Sequence, residues 1–117
     1  MADAVIALTA EGLAERLLTG FSPTGAPDFD GTVRLVLQPS DDAPAEAVGF
    51  RIEHGRIERL DPGRQTFDIT LFFQSADEAF NLLCGSANPV AAFMEGRFRS
   101  DGYLLWVFAV LAMFRGR

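Results

Sequence analysis

Cysteine and histidine each occur once in this 117-residue chain, as Cys84 and His54, and so do tryptophan and tyrosine. One cysteine excludes an internal disulfide and fits a reducing compartment. One cysteine and one histidine cannot build a zinc site, so no metal and no cofactor is expected. Bases are also scarce: ten against sixteen acids, for a net charge of −6. That balance argues against a nucleic-acid partner, whose phosphates need a basic face. The N-terminus, MADAVIALTAEGLAERLL, has acids where an export signal would have bases, and no clean apolar stretch before a small-residue cleavage site. A cytoplasmic protein is expected. The sequence also lacks a glycine-rich phosphate loop, a nucleophilic serine elbow and any metal-ligand spacing.

Long apolar runs are nearly absent too, with one exception. Tyr103 to Phe114 carries no charge and hardly a polar atom. As a helix it would be about 18 Å long at 1.5 Å per residue. A bilayer core is about 30 Å thick and needs roughly 20 residues, so this run does not span one. A helix apolar all round is normally buried on all sides. Either the rest of the protein packs around it or something else does.

What the chain does have is aromatic bulk without polarity: eleven phenylalanines in a sequence that is 49% hydrophobic. Phenylalanine fills space and asks for no hydrogen bond, so it suits a core or an apolar cavity equally. The length fits one domain spanning residues 1–117. Leu13, Leu17, Leu18 and Phe21 fall on one stripe and predict a helix over 3–21. Ser22–Gly31 is rich in proline and glycine and reads as a loop. Val33, Leu35 and Leu37 alternate in a strand over Thr32–Pro39. Val48, Phe50 and Ile52 alternate next, His54-Gly55 turns, and Ile57 and Leu60 follow in a hairpin. Thr66–Phe73 is the clearest strand, with Phe67, Ile69, Leu71 and Phe73 facing one way. Phe72 points to the opposite side, which must therefore be covered near this end.

Ser75 and Glu78 form a capping box for a helix that stops at Gly85. Asn88-Pro89 opens a short helix ending at Gly96. Arg97–Ser100 reads as a strand, and Asp101-Gly102 turns into the last helix. The order is α-β-β-β-β-α-α-β-α, with no repeat.

Catalytic sets are missing. His54 falls in a hairpin turn, where exposure is the default. Cys84 reads as a buried structural thiol. The acid pairs Asp28/Asp30 and Asp41/Asp42 lie in loops and read as turn formers.

From Phe50 onward the chain resembles the lipid-binding domain of sterol carrier protein type 2, in its stand-alone bacterial form. The stretch LLCGSANPVAAFMEGRFRSDGYLLWVFAVLAMF carries the likeness through Gly85, Phe93-Met94, Gly96 and Gly102. Upstream, FRIEHGRIERLDPGRQTFDITLFF adds a glycine-centred hairpin and the Asp68-Ile69-Thr70 strand. Together these cover about two thirds of the chain. The chain departs from the family in having arginines where lysines are usual around the short strand, Ser100 and Asp101 beside them, and a more apolar last helix. A sterol is therefore not the first ligand to expect.

The resemblance implies an α+β fold: a twisted five-stranded sheet with helices on one face, enclosing an apolar tunnel. It implies non-catalytic binding or transfer of an acyl or isoprenoid chain. The side chains expected to line such a tunnel are Phe72, Phe80, Leu83, Phe93, Met94, Leu104, Leu105, Phe108 and Leu111; each is equally at home in an ordinary core. Arg97, Arg99, Arg115 and Arg117 flank the apolar helix and would form a basic rim for transient contact with anionic lipid headgroups. The other reading is an accessory protein for a lipid-pathway enzyme, or a homodimer, with the last helix as interface. A small enzyme has only His54, Cys84 and loop acids to draw on.

Overall fold

The computed structural model describes residues 8–21, 30–40, 42–63, 66–84 and 88–114. Thr9 is extended and its hydroxyl accepts the Gly12 N–H at 2.9 Å, so helix α1 begins at Ala10 (Ala10–Gly20). The helix expected from residue 3 thus starts later, and residues 3–7 lie outside the described set. Strands β1 (Gly31–Leu37), β2 (Glu46–Glu53) and β3 (Arg56–Leu60) follow, then β4 (Ile69–Phe73), helices α2 (Ala76–Cys84) and α3 (Pro89–Met94), strand β5 (Arg99–Asp101) and helix α4 (Leu104–Met113). The order is the one read from the sequence.

The strands form one mixed sheet in the order β3-β2-β1-β4-β5. Among them β1 and β4 run parallel, with Val33 opposite Ile69 and Leu37 opposite Phe73. His54 and Gly55 both take positive φ, 54° and 76°, which is the mirror-image turn that suits the twist of a tight hairpin. Asp30 accepts the His54 N–H at 2.9 Å, so the histidine is a turn residue held by its backbone.

Alternation puts Val33, Leu35, Leu37, Val48, Phe50, Ile52, Ile69, Leu71 and Phe73 on one buried face. Leu13, Ala14 and Leu17 of α1, Leu82 and Leu83 of α2, and Val107, Val110 and Met113 of α4 close over that face in one cluster. The Phe114 ring lies 6.4 Å from Phe50 and 6.0 Å from Phe21, so the end of α4 is fastened to both the sheet and the end of α1. The Glu11 carboxylate takes two hydrogen bonds from Arg59, at 2.7 and 3.4 Å, and ties α1 to β3.

Strand β4 departs from the sequence expectation. It starts at Ile69, three residues late, because Thr32 and Asp68 bond to each other: Asp68 N–H to the Thr32 hydroxyl at 3.0 Å, Thr32 N–H to the Asp68 carboxylate at 2.9 Å. The chain before Ile69 leaves the strand's alternation, and Phe67 lands on the other face of the sheet. There its ring sits under the Arg34 guanidinium (5.1 Å) and fills the space that Gly49 leaves; a Cβ at Gly49 would lie 3.0 Å from the ring.

Candidate functional site

The N-caps expected ahead of α2 and α3 are present and set the geometry of the C-terminal half, while the stop expected at Gly85 lies outside the described residues. The Ser75 hydroxyl accepts the Glu78 N–H at 3.1 Å, and the Asn88 side-chain oxygen accepts from Val90 and Ala91. The Glu78 carboxylate reaches Arg97 at 3.5 Å. Gly102 has φ 134°, and a Cβ there would stand 2.6 Å from the Asp68 carbonyl oxygen. Only glycine allows the chain to pass β4 so closely and turn into α4.

These constraints bring four phenylalanines into a row. Phe108 of α4 meets Phe93 of α3 edge-on at 5.9 Å, Phe93 meets Phe98 at 5.6 Å, and Phe98 stacks on Phe73 of β4 at 5.2 Å. Phe93 and Phe108 are half-buried, whereas Phe98 and Phe73 are buried. The row leads from the helix surface to the sheet. Phe98 is absent from the residues expected at the site; its alternation against Arg97 and Arg99 is the sign that could have found it.

The other residues expected to line a tunnel separate into three places. Leu83 and Leu111 are fully buried core, and Phe80 is half-buried beneath the Arg16 guanidinium, 5.2 Å from its ring centre. Phe72 does not face the helices: it alternates with Leu71 and Phe73 and lies on the outer face, where the Arg99 guanidinium covers it at 4.9 Å. That is the cover anticipated for this end of the sheet, and it removes Phe72 from the interior set. Met94, Leu104 and Leu105 are exposed, at 77%, 45% and 64%. The sequence expectation puts them inside; with Val90, Tyr103 and Trp106 they instead form an apolar surface on α3 and the start of α4. The last helix is therefore buried along its C-terminal half and open at its beginning.

A cleft of about 260 Å³ lies where β1 and β4 end and β5 begins. Arg97, Arg99, Gln38, Gln74 and Ser40 contribute its polar lining, and among the described residues no carboxylate does. Arg115 and Arg117 lie outside the described residues. Cys84 is partly buried at the end of α2, against the core. Among the described residues no group of three His, Cys, Asp or Glu could hold a metal ion, and no helix is long and apolar enough to cross a membrane. Asp30 serves the hairpin turn, while Asp28 and Asp41 lie outside the described residues.

No protein-family model and no curated protein matches the sequence. In three dimensions the chain is similar to several solved structures. A protein of Thermus thermophilus, described as possibly a sterol carrier protein, superposes with a TM-score of 0.61 at 18% identity, over 97% of this chain and 91% of that one. The apo form of sterol carrier protein 2 from Yarrowia lipolytica gives 0.60 at 14% identity, with both chains covered in full. A palmitated SCP2L2 from Aedes aegypti gives 0.62 at 13% identity, over 93% and 98%. The chain thus has the fold of sterol carrier protein type 2.

Proposed function

We propose that this protein is a non-catalytic carrier that takes up one long apolar molecule, an acyl or isoprenoid chain, between its sheet and its helices. The observation that carries this reading is the row Phe108, Phe93, Phe98 and Phe73, which runs from an exposed apolar surface into the core of a fold that lipid carriers share. The driving force is desolvation, about 0.8 kcal/mol for each CH₂ taken out of water. Few polar groups are needed, because an apolar pocket uses them only to orient its ligand. A single cysteine, with no disulfide to form within the chain, supports a cytoplasmic setting.

The test is native mass spectrometry of gently purified protein, followed by organic extraction. Carriage predicts a lipid at near one per chain, or saturable binding of a fluorescent fatty acid by the emptied protein. Protein that holds no lipid and binds no fatty acid would overturn the reading. The exposed apolar residues of α3 and α4 favour a second reading, an accessory protein that pairs with a copy of itself or an enzyme through that surface. A mass that rises with concentration in lipid-free solution would support it.

A further inference from the structure

We infer that the exposed face made by α3 and the first turn of α4 is where the protein docks on a phospholipid bilayer, with Arg97 at its edge to meet headgroup phosphates. The inference deepens the carrier reading and rests on it for its purpose, since a lipid leaves a membrane through a surface that touches one.

The first ground is composition. Val90, Met94, Tyr103, Leu104, Leu105 and Trp106 are 43–77% exposed. A helix that meets water normally turns a polar side outward. Helix α4 has none to turn: from Leu104 to Met113 every side chain is hydrocarbon, thioether or indole.

The second ground is the kind of apolar residue. The Tyr103 and Trp106 rings meet edge to face at 5.6 Å. Rings with an apolar body and one polar tip concentrate at membrane–water boundaries, where both ends are satisfied. Met94 and Leu105, the two most exposed, are the side chains to enter the acyl region.

The third ground is charge. The molecule carries −6 overall, yet between Met94 and Trp106 it has Glu95 and Asp101 against Arg97 and Arg99, which balance. Within this neutral stretch Gly96 to Arg99 line one side of the cleft of about 260 Å³. Glu78 holds Arg97 at 3.5 Å, and Arg99 rests on the Phe72 ring. All ten cations of the chain are arginines, whose planar fork matches phosphate oxygens. A zwitterionic bilayer offers phosphate without a net negative field to repel the rest of the protein.

The fourth ground is size. Aromatic side chains carry about 150–250 Å² each, so six side chains at these exposures make a patch on the order of 600 Å². A stable protein interface takes about 800 Å² from each partner. A dimer built on this patch alone is undersized, whereas immersion in a bilayer boundary sets no such threshold.

Trp106 is the only tryptophan and lies in the patch, so its emission reports on it directly. The wild-type protein is mixed with dioleoylphosphatidylcholine vesicles. The expected results are a blue shift of Trp106 emission, quenching by brominated acyl chains and flotation with the vesicles. Leu105→Asp and Met94→Asp, both surface changes checked for an unchanged melting temperature, should each weaken partitioning about tenfold or more, because a charge is put where acyl chains must be. Arg97→Gln should weaken it about twofold or more; an unchanged value removes Arg97 from the docking face. No shift and no flotation overturns the inference. So does a Trp106 blue shift that appears without lipid, as concentration rises and the mass doubles, since the face then belongs to a second copy. Fatty-acid binding by wild-type protein without vesicles separates the two proposals: if it fails while flotation persists, the carrier reading falls and the docking face stands.

Discussion

At Gly102 the backbone leaves β5 with φ 134°, and a Cβ there would stand 2.6 Å from the Asp68 carbonyl oxygen. Any side chain suffers twice at this position, from the conformation and from the overlap. Gly102→Ala should cost about 2 kcal/mol or more of stability, read as a lower urea midpoint with an unchanged slope. A midpoint within error of wild type would mean that β5 and the start of α4 can shift at no cost. Phe67 makes the opposite point about single residues. Its place in a run of alternating apolar positions points inward. Its real side is decided by Thr32 and Asp68, thirty-six positions apart, which end the strand by bonding to each other. No local pattern carries that information.

Among the elements, the order and the caps are legible in sequence because each leaves a local mark: alternation for β1 and β2, Ser75 and Asn88 ahead of α2 and α3. Helix α4 is not legible in the same way. An amphipathic helix tells which side is in; one that is apolar on every side gives no phase to read. Hence Leu111 and Leu105 look alike in sequence, although one is 1% and the other 64% exposed. Mutation should tell them apart. Leu111→Ala should cost about 2–5 kcal/mol, as for a buried leucine leaving a cavity, and Leu105→Ala no more than about 0.5 kcal/mol. Chemical denaturation followed by far-ultraviolet circular dichroism measures both, and equal losses would contradict the placement of α4. The candidate site is legible in part: Phe93 and Phe108 meet as neighbours, but Phe72 is lost to the outer face and Met94, Leu104 and Leu105 to the surface.

For the whole molecule, acid excess meets an ion pair that links layers. The bond from Arg59, and then its charge, hold the Glu11 carboxyl below the ordinary glutamate range, and the same pairing raises Arg59. A carboxyl lowered in the folded state stabilises fully above its unfolded pKa, and the contribution fades as pH falls through the lowered value. Glu11 lies at the surface, so the effect is small and screened by salt. The stability gap between wild type and Glu11→Gln should hold steady from neutral pH down to the ordinary glutamate range and close only below it. Urea titrations at a series of pH values measure this. A gap that persists into strong acid, or one that has already closed near neutrality, would mean that the pair does not join α1 to β3 in solution.

The sheet ends at β3 on one side and at β5 on the other. Strand β3 bears Arg56, Glu58 and Arg59 within five residues, and β5 is three residues long with Arg99 and Asp101 in it. Short, charged edges are poor templates for adding a strand. The fold thus guards its open hydrogen-bonding rims against cross-β aggregation while leaving a helical surface uncovered. Among the described residues, the large exposed apolar side chains lie on α3 and around the start of α4, where attachment leaves the sheet as it is.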